Sequence, residues 1–133
     1  MRNGLMAAGL MIASVTGAQA QDAEIRDTIT RQFDAFKLDD FATAFSFASP
    51  DLQRFFQTPQ NFGSMVTQGY PMVWRPAKVD YLELREENGT FWQKVQIVDD
   101  KGRVHYLEYR MQQTPKGWRI GAVQILDAPG AAV

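Results

Sequence analysis

KVDYLELREENGTFWQKVQIVDDKGRVHYLEYRMQQTPKGWRIGAVQIL, residues Lys78 to Leu126, is the stretch that decides the fold. Asn88-Gly89 is a two-residue hairpin signal, because both positions of that tight turn need positive φ; it pairs Glu87 with Thr90, Leu84 with Gln93 and Leu82 with Val95. Asp100-Lys101-Gly102 fits a three-residue loop and pairs Ile97 with His105 and Val95 with Leu107. Pro115-Lys116 turns the chain again, pairing Met111 with Ile120 and Tyr109 with Ala122. Three turns therefore predict a four-stranded antiparallel meander.

The register separates two faces, since a slip of one residue would exchange them. One carries the rows Glu83, Lys94, Glu108 and Arg85, Trp92, Arg110, so opposite charges meet and an indole lies between guanidinium groups. The other carries Leu82, Leu84, Phe91, Val95, Ile97, Leu107, Met111, Ile120 and Leu126, which must be covered.

The cover comes from upstream, where eight of the nine Phe residues lie between Phe33 and Phe62. Ile25, Ile29, Phe33 and Phe36 recur at helical spacing within Asp22 to Lys37. Asp39 or Asp40 caps a short second helix whose inward stripe is Phe41, Ala44, Phe45 and Ala48. Ser49-Pro50 and Thr58-Pro59 repeat the cap-then-proline start signal, opening a turn at 50–56 and a third helix at 59–68. Pro71 and Pro76 predict an extended crossing from Tyr70 to Pro76. The fold class is α+β, with N-terminal helices packed on a curved four-stranded antiparallel sheet to make a cone.

Residues 1–20, MRNGLMAAGLMIASVTGAQA, read as a secretory signal peptide: one charge at Arg2, an apolar run from Leu5 to Val15, and the small-x-small triplet Ala18-Gln19-Ala20. The apolar run is too short to span a bilayer. Cleavage after Ala20 leaves 113 of the 133 residues and moves the formal charge from −1 to −2, because Arg2 is lost. The expected product is exported and soluble, in the periplasm if the cell is Gram-negative and otherwise secreted, with one domain at 21–126 and a loose tail at 127–133.

Composition excludes several functions. The 14 Lys+Arg and 15 Asp+Glu residues leave no basic excess for nucleic acid. There is no Cys, hence no disulfide, and a single His, which rules out an imidazole–thiolate metal centre. No cofactor motif occurs.

Helices followed by a curved sheet in about 110 residues resemble the nuclear transport factor 2-like, or cystatin-like, cone. LDDFATAFSFASP (Leu38 to Pro50), Met65-Val66, GYPMVWRP (Gly69 to Pro76) and Gly117-Trp118-Arg119-Ile120-Gly121 look more closely like the domain of unknown function 4864 family. The resemblance covers Ile25 to Leu126 and implies no reaction and no catalytic residue. It implies self-association through the sheet.

Five polar residues fall on the covered face of this register: Asp80, Gln93, His105, Tyr109 and Gln124. Asp80 and His105 stand two strands apart, on the order of 10 Å. Buried polar groups need a partner, water or a ligand. These five are therefore candidates for a ligand pocket, or else polar groups satisfied within the protein. Tyr70, Trp74 and Arg75 are candidates for the pocket rim. On the outer face Tyr81, Gln96, Tyr106 and Ile125 make a cross-strand row that is a candidate interface. Three functions follow: a non-catalytic domain binding a small hydrophobic ligand or another protein, a small isomerase-like or dehydratase-like enzyme using Asp80 and His105, or a structural homodimer with a filled cone.

Overall fold

The computed structural model describes residues 4–126, with side chains from residue 18 onward. Five helices precede the sheet: α1 (Gly4–Lys37), α2 (Phe41–Ser46), α3 (Pro50–Phe56), α4 (Pro59–Gly69) and α5 (Pro71–Trp74). The strands β1 (Pro76–Glu87), β2 (Thr90–Asp99), β3 (Val104–Thr114) and β4 (Gly117–Leu126) pair antiparallel in chain order. Among the described residues, no helix is long and apolar enough to cross a membrane. The expected tail at 127–133 lies outside the described residues, and so do the side chains of most of the expected signal peptide.

The helical starts follow the capping chemistry. Asp40 accepts from the Thr43 backbone N–H, Ser49 from Leu52 and Thr58 from Asn61. Each satisfies an N–H that the first turn leaves without a partner. Two segments differ from the sequence reading. Residues 50–56 form a helix rather than a turn, and Pro71–Trp74 closes one helical turn where an extended crossing was expected. Proline sits at the first helical position of both, where its missing N–H costs nothing. The helix expected from Asp22 begins at Gly4, since the Ala-, Leu- and Met-rich segment before it has high helix propensity.

The buried stripe of α1, Ile25, Ile29, Phe33 and Phe36, lies over Val95, Ile97, Leu107, Tyr109 and Met111 of the sheet. Phe62 of α4 is the centre of an aromatic group, 5.3 Å from Phe45, 5.6 Å from Phe56 and 5.9 Å from Phe36 between ring centroids.

All three turns fall where the sequence puts them. Asn88 and Gly89 both have positive φ, and Gly102 supplies the left-handed residue of the second turn. β2 and β3 pair in the expected register, with Ile97 opposite His105 and Val95 opposite Leu107. The outer strands do not keep theirs. In β1 the expected pairing holds from Glu87 to Leu84, then Leu82 and Glu83 bulge out, so Tyr81 rather than Leu82 opposes Val95. Asp80 consequently opposes Gln96 on the outer face, not Ile97 on the inner one. In β4, Met111 opposes Ile120 as expected, but Gly121 bulges and Tyr109 faces Val123 instead of Ala122. That shift carries Gln124 outward opposite Glu108, Leu126 outward opposite Tyr106, and Ile125 to the inner side opposite Leu107.

Both bulges have a local cause. Gln93 is wholly buried, and its side-chain amide donates to the carbonyls of Leu82 and Glu83 in the bulge, at 3.0 and 3.3 Å, and to that of Lys94 at 2.8 Å. Gly121 accepts from Arg110 Nη2 at 3.1 Å, and a Cβ there would lie 3.2 Å from that nitrogen. Bulges bend a sheet and increase its twist. Those at Leu82–Glu83 and Gly121, with a further register shift between Pro76 and Lys78 at the start of β1, curl the sheet around the helices.

Candidate functional site

Between the curled β4 edge and the helices lies a cavity of about 280 Å³. Gln32 and Phe36 of α1, Ala48, Leu52 and Phe56 around α3, Phe62, Met65 and Val66 of α4, Tyr70, Val73 of α5, and residues Ile120 to Val123 of β4 line it. Among the described residues, no charged side chain contributes. One end is closed by the segment after α2, where Ser49 N–H donates to Ile120 C=O at 2.8 Å and Ile120 N–H donates to Phe47 C=O at 2.9 Å. The Tyr70 hydroxyl donates to the Val123 carbonyl at 3.3 Å, tying the α4–α5 junction to the cavity's strand wall.

Of the residues the sequence marks for a pocket, only the rim candidate Tyr70 lines this cavity. Gln93 is engaged with the β1 bulge. Tyr109 is fully buried against Phe33, with ring centroids 6.3 Å apart, and its hydroxyl has no partner among the described residues. Burial pushes that phenol well above its ordinary pKa, with smaller contributions from Tyr81 and Tyr70. Asp80 is on the outer side, 3.7 Å from Lys78, and Gln124 is exposed there. Asp80 and His105 are therefore not brought together.

His105 stays on the inner face but at the far end of the sheet, in a separate polar cleft of about 380 Å³ that also receives Trp74, Arg75, Asp99 and Arg103. Its Nε2 donates to Asp99 Oδ2 at 2.9 Å. Asp99 also accepts from the Lys101 and Arg103 backbone N–H groups, both at 2.9 Å. The His105 bond first, then the Arg103 backbone bond, holds the Asp99 carboxyl down at about 2. The other two rim candidates form a clamp on Asp39, which has positive φ. Trp74 Nε1 donates to it at 2.8 Å and Arg75 Nη2 at 2.9 and 3.1 Å, while Arg75 stacks 4.2 Å above the Trp74 ring. The Trp74 bond first, then Arg75, lowers the Asp39 pKa.

The outer face keeps its expected Arg85, Trp92, Arg110 row. Arg85 grips Glu108 with Nε at 3.0 Å and Nη2 at 3.1 Å, and lies 5.3 Å from the Trp92 ring centre. The candidate interface loses two of its four residues. Tyr81 turns inward, its hydroxyl 2.7 Å from Thr30 Oγ1, and Ile125 changes side with the Gly121 bulge. Gln96 and Tyr106 remain outward and opposite each other.

Gln32, Leu52, Phe56 and Met65 are cavity residues that the sequence reading does not select. Leu52, Phe56 and Met65 read as ordinary packing residues. Gln32 does carry a signal, because it is a polar residue four positions before Phe36 within the buried stripe of α1.

Among curated proteins, none matches the chain. Two solved structures are similar in fold. An NTF-2-like protein of unknown function from Burkholderia xenovorans is 15% identical, with 83% of this chain and 91% of that one covered and a TM-score of 0.45. A phospholipid-binding protein from Ralstonia solanacearum, solved in complex with a phospholipid, is 16% identical, with 81% and 79% covered and a TM-score of 0.49. The sequence profile described as Domain of unknown function (DUF4864) matches residues 18–133. The chain belongs to that family.

Proposed function

We propose that this protein is a non-catalytic binding domain that takes a small, mostly apolar molecule into the cavity between β4 and the helices. The observation that carries this reading is the composition of the cavity wall. Its volume of about 280 Å³ exceeds the roughly 150 Å³ of an apolar cavity that stays dry and binds benzene, and it is near the lower end of ordinary ligand pockets. The pocket is half open to solvent and its wall is mostly apolar, so a ligand seated there removes that surface from water and makes dispersion contacts with it. An acid–base reading through Asp80 and His105 has no such support, since the β1 bulge puts the two residues on opposite faces.

Export accompanies this reading. The tripartite pattern of Met1 to Ala20 supports a leader removed before Gln21, with the binding domain acting in the periplasm. Self-association is a further proposal, supported by the outward Gln96–Tyr106 pair and the half-exposed Val104 beside it. Native mass spectrometry of the protein recovered from its producing cell tests ligand and subunit number together. A retained adduct is expected in the natural protein and not in Val66→Phe, whose added ring occupies the cavity.

A further inference from the structure

Gln32 is 5% exposed, and its Nε2 donates to the Ala44 carbonyl at 3.1 Å. A carbonyl only accepts, so this bond fixes the orientation of the amide and leaves Oε1 as the acceptor on its other side. Oε1 has no hydrogen-bond partner among the described residues. Nor is it sealed in the interior as Gln93 Oε1, the Tyr109 hydroxyl and the Trp118 indole nitrogen are. The open space beside Gln32 is the cavity it lines.

The other polar side chain in that wall, Tyr70, spends its proton on the Val123 carbonyl and so also presents only an acceptor. Among the described residues, no Lys, Arg or His lines the space to neutralise an anion. We infer that Gln32 Oε1 selects the ligand: the cavity takes a neutral apolar molecule carrying one hydroxyl or N–H donor, and disfavours carboxylates and pure hydrocarbons. This rests on the cavity being the ligand site.

The test compares p-cresol with p-xylene, two rings of nearly equal shape that differ by a hydroxyl in place of a methyl, binding to the natural protein and to Gln32→Leu. The preference for p-cresol over p-xylene is expected to fall about 3- to 10-fold in the variant, the range of one neutral hydrogen bond. Because Gln32 also supports Ala44, the variant can fail to fold. A second measurement on the natural protein avoids this: the Gln32 side-chain amide resonances should move with p-cresol and stay in place with p-xylene. An unchanged preference, or amide resonances that respond equally to both, would overturn the role of Gln32 and leave the cavity as a plain apolar site. If neither compound binds the natural protein, the cavity reading fails and this inference with it.

Discussion

The side-chain amide of Gln93 lies 3.0 Å from the carbonyl oxygen of Leu82, across the β1 bulge, and donates to it. That bond links a buried polar residue to the curvature of the sheet. An amide on the neighbouring strand donates to the carbonyls of both bulged residues, Leu82 and Glu83, from the covered side. Replacing Gln93 with Met keeps the shape and removes the donor. We expect Gln93→Met to lose about 1 to 3 kcal/mol in urea unfolding, the cost of unsatisfied backbone acceptors. A variant as stable as the parent would show that water serves the bulge equally well.

Tyr109 gives the opposite expectation. Its hydroxyl is enclosed and has no partner among the described residues, so Tyr109→Phe removes a desolvated group at no loss of a bond. The variant should match the parent or gain up to about 1 kcal/mol in the same unfolding measurement. A loss of more than about 1 kcal/mol would mean that the phenol is hydrogen-bonded in solution.

Asp99 predicts a pH dependence. Its folded pKa, about 2, is below the ordinary 3.8. The stability it contributes is therefore fully present above pH 3.8 and is lost as pH falls through 2. Thermal midpoints of the parent and Asp99→Asn should lie apart at pH 5 and draw together as pH approaches 2. Parallel curves across that window would show that Asp99 titrates alike in both states.

For the leader, intact-mass measurement of the protein secreted by its own host should give a chain beginning at Gln21. A mass that retains Met1 to Ala20 would contradict export by cleavage.

What the sequence made legible was set by short-range rules. The three turns lie in residues that demand particular φ values, so β2 and β3 fell into register and the Phe-rich helices into place as their cover. Asp40 and Thr58 announced their helices, and Ser49 the start of 50–56 though not its helical form, because capping needs only a few neighbouring atoms. The bulges are different. In β1, Leu82-Glu83-Leu84 alternates as an unbroken strand would, and the break is visible only as the inward set Val79, Tyr81, Leu84, spaced by two and then three. Gly121 inside a strand is a recognised bulge signal; taken at that value, it would have turned Gln124 outward and Ile125 inward. The site suffered most, because moving Asp80 by one residue dissolves its pairing with His105. The cavity depends on how four helices, α1, α3, α4 and α5, meet one strand, which no single-segment pattern encodes.

The binding function proposed for this protein depends on the space between β4 and the helices being a binding site. Calorimetric titration of p-cresol into the natural protein and into Val66→Phe, a buried cavity-wall position, is the deciding measurement. Saturable one-site binding to the natural protein is expected, weakened at least about tenfold in a variant that remains folded. Equal binding by both proteins, or none by the natural one, would contradict it.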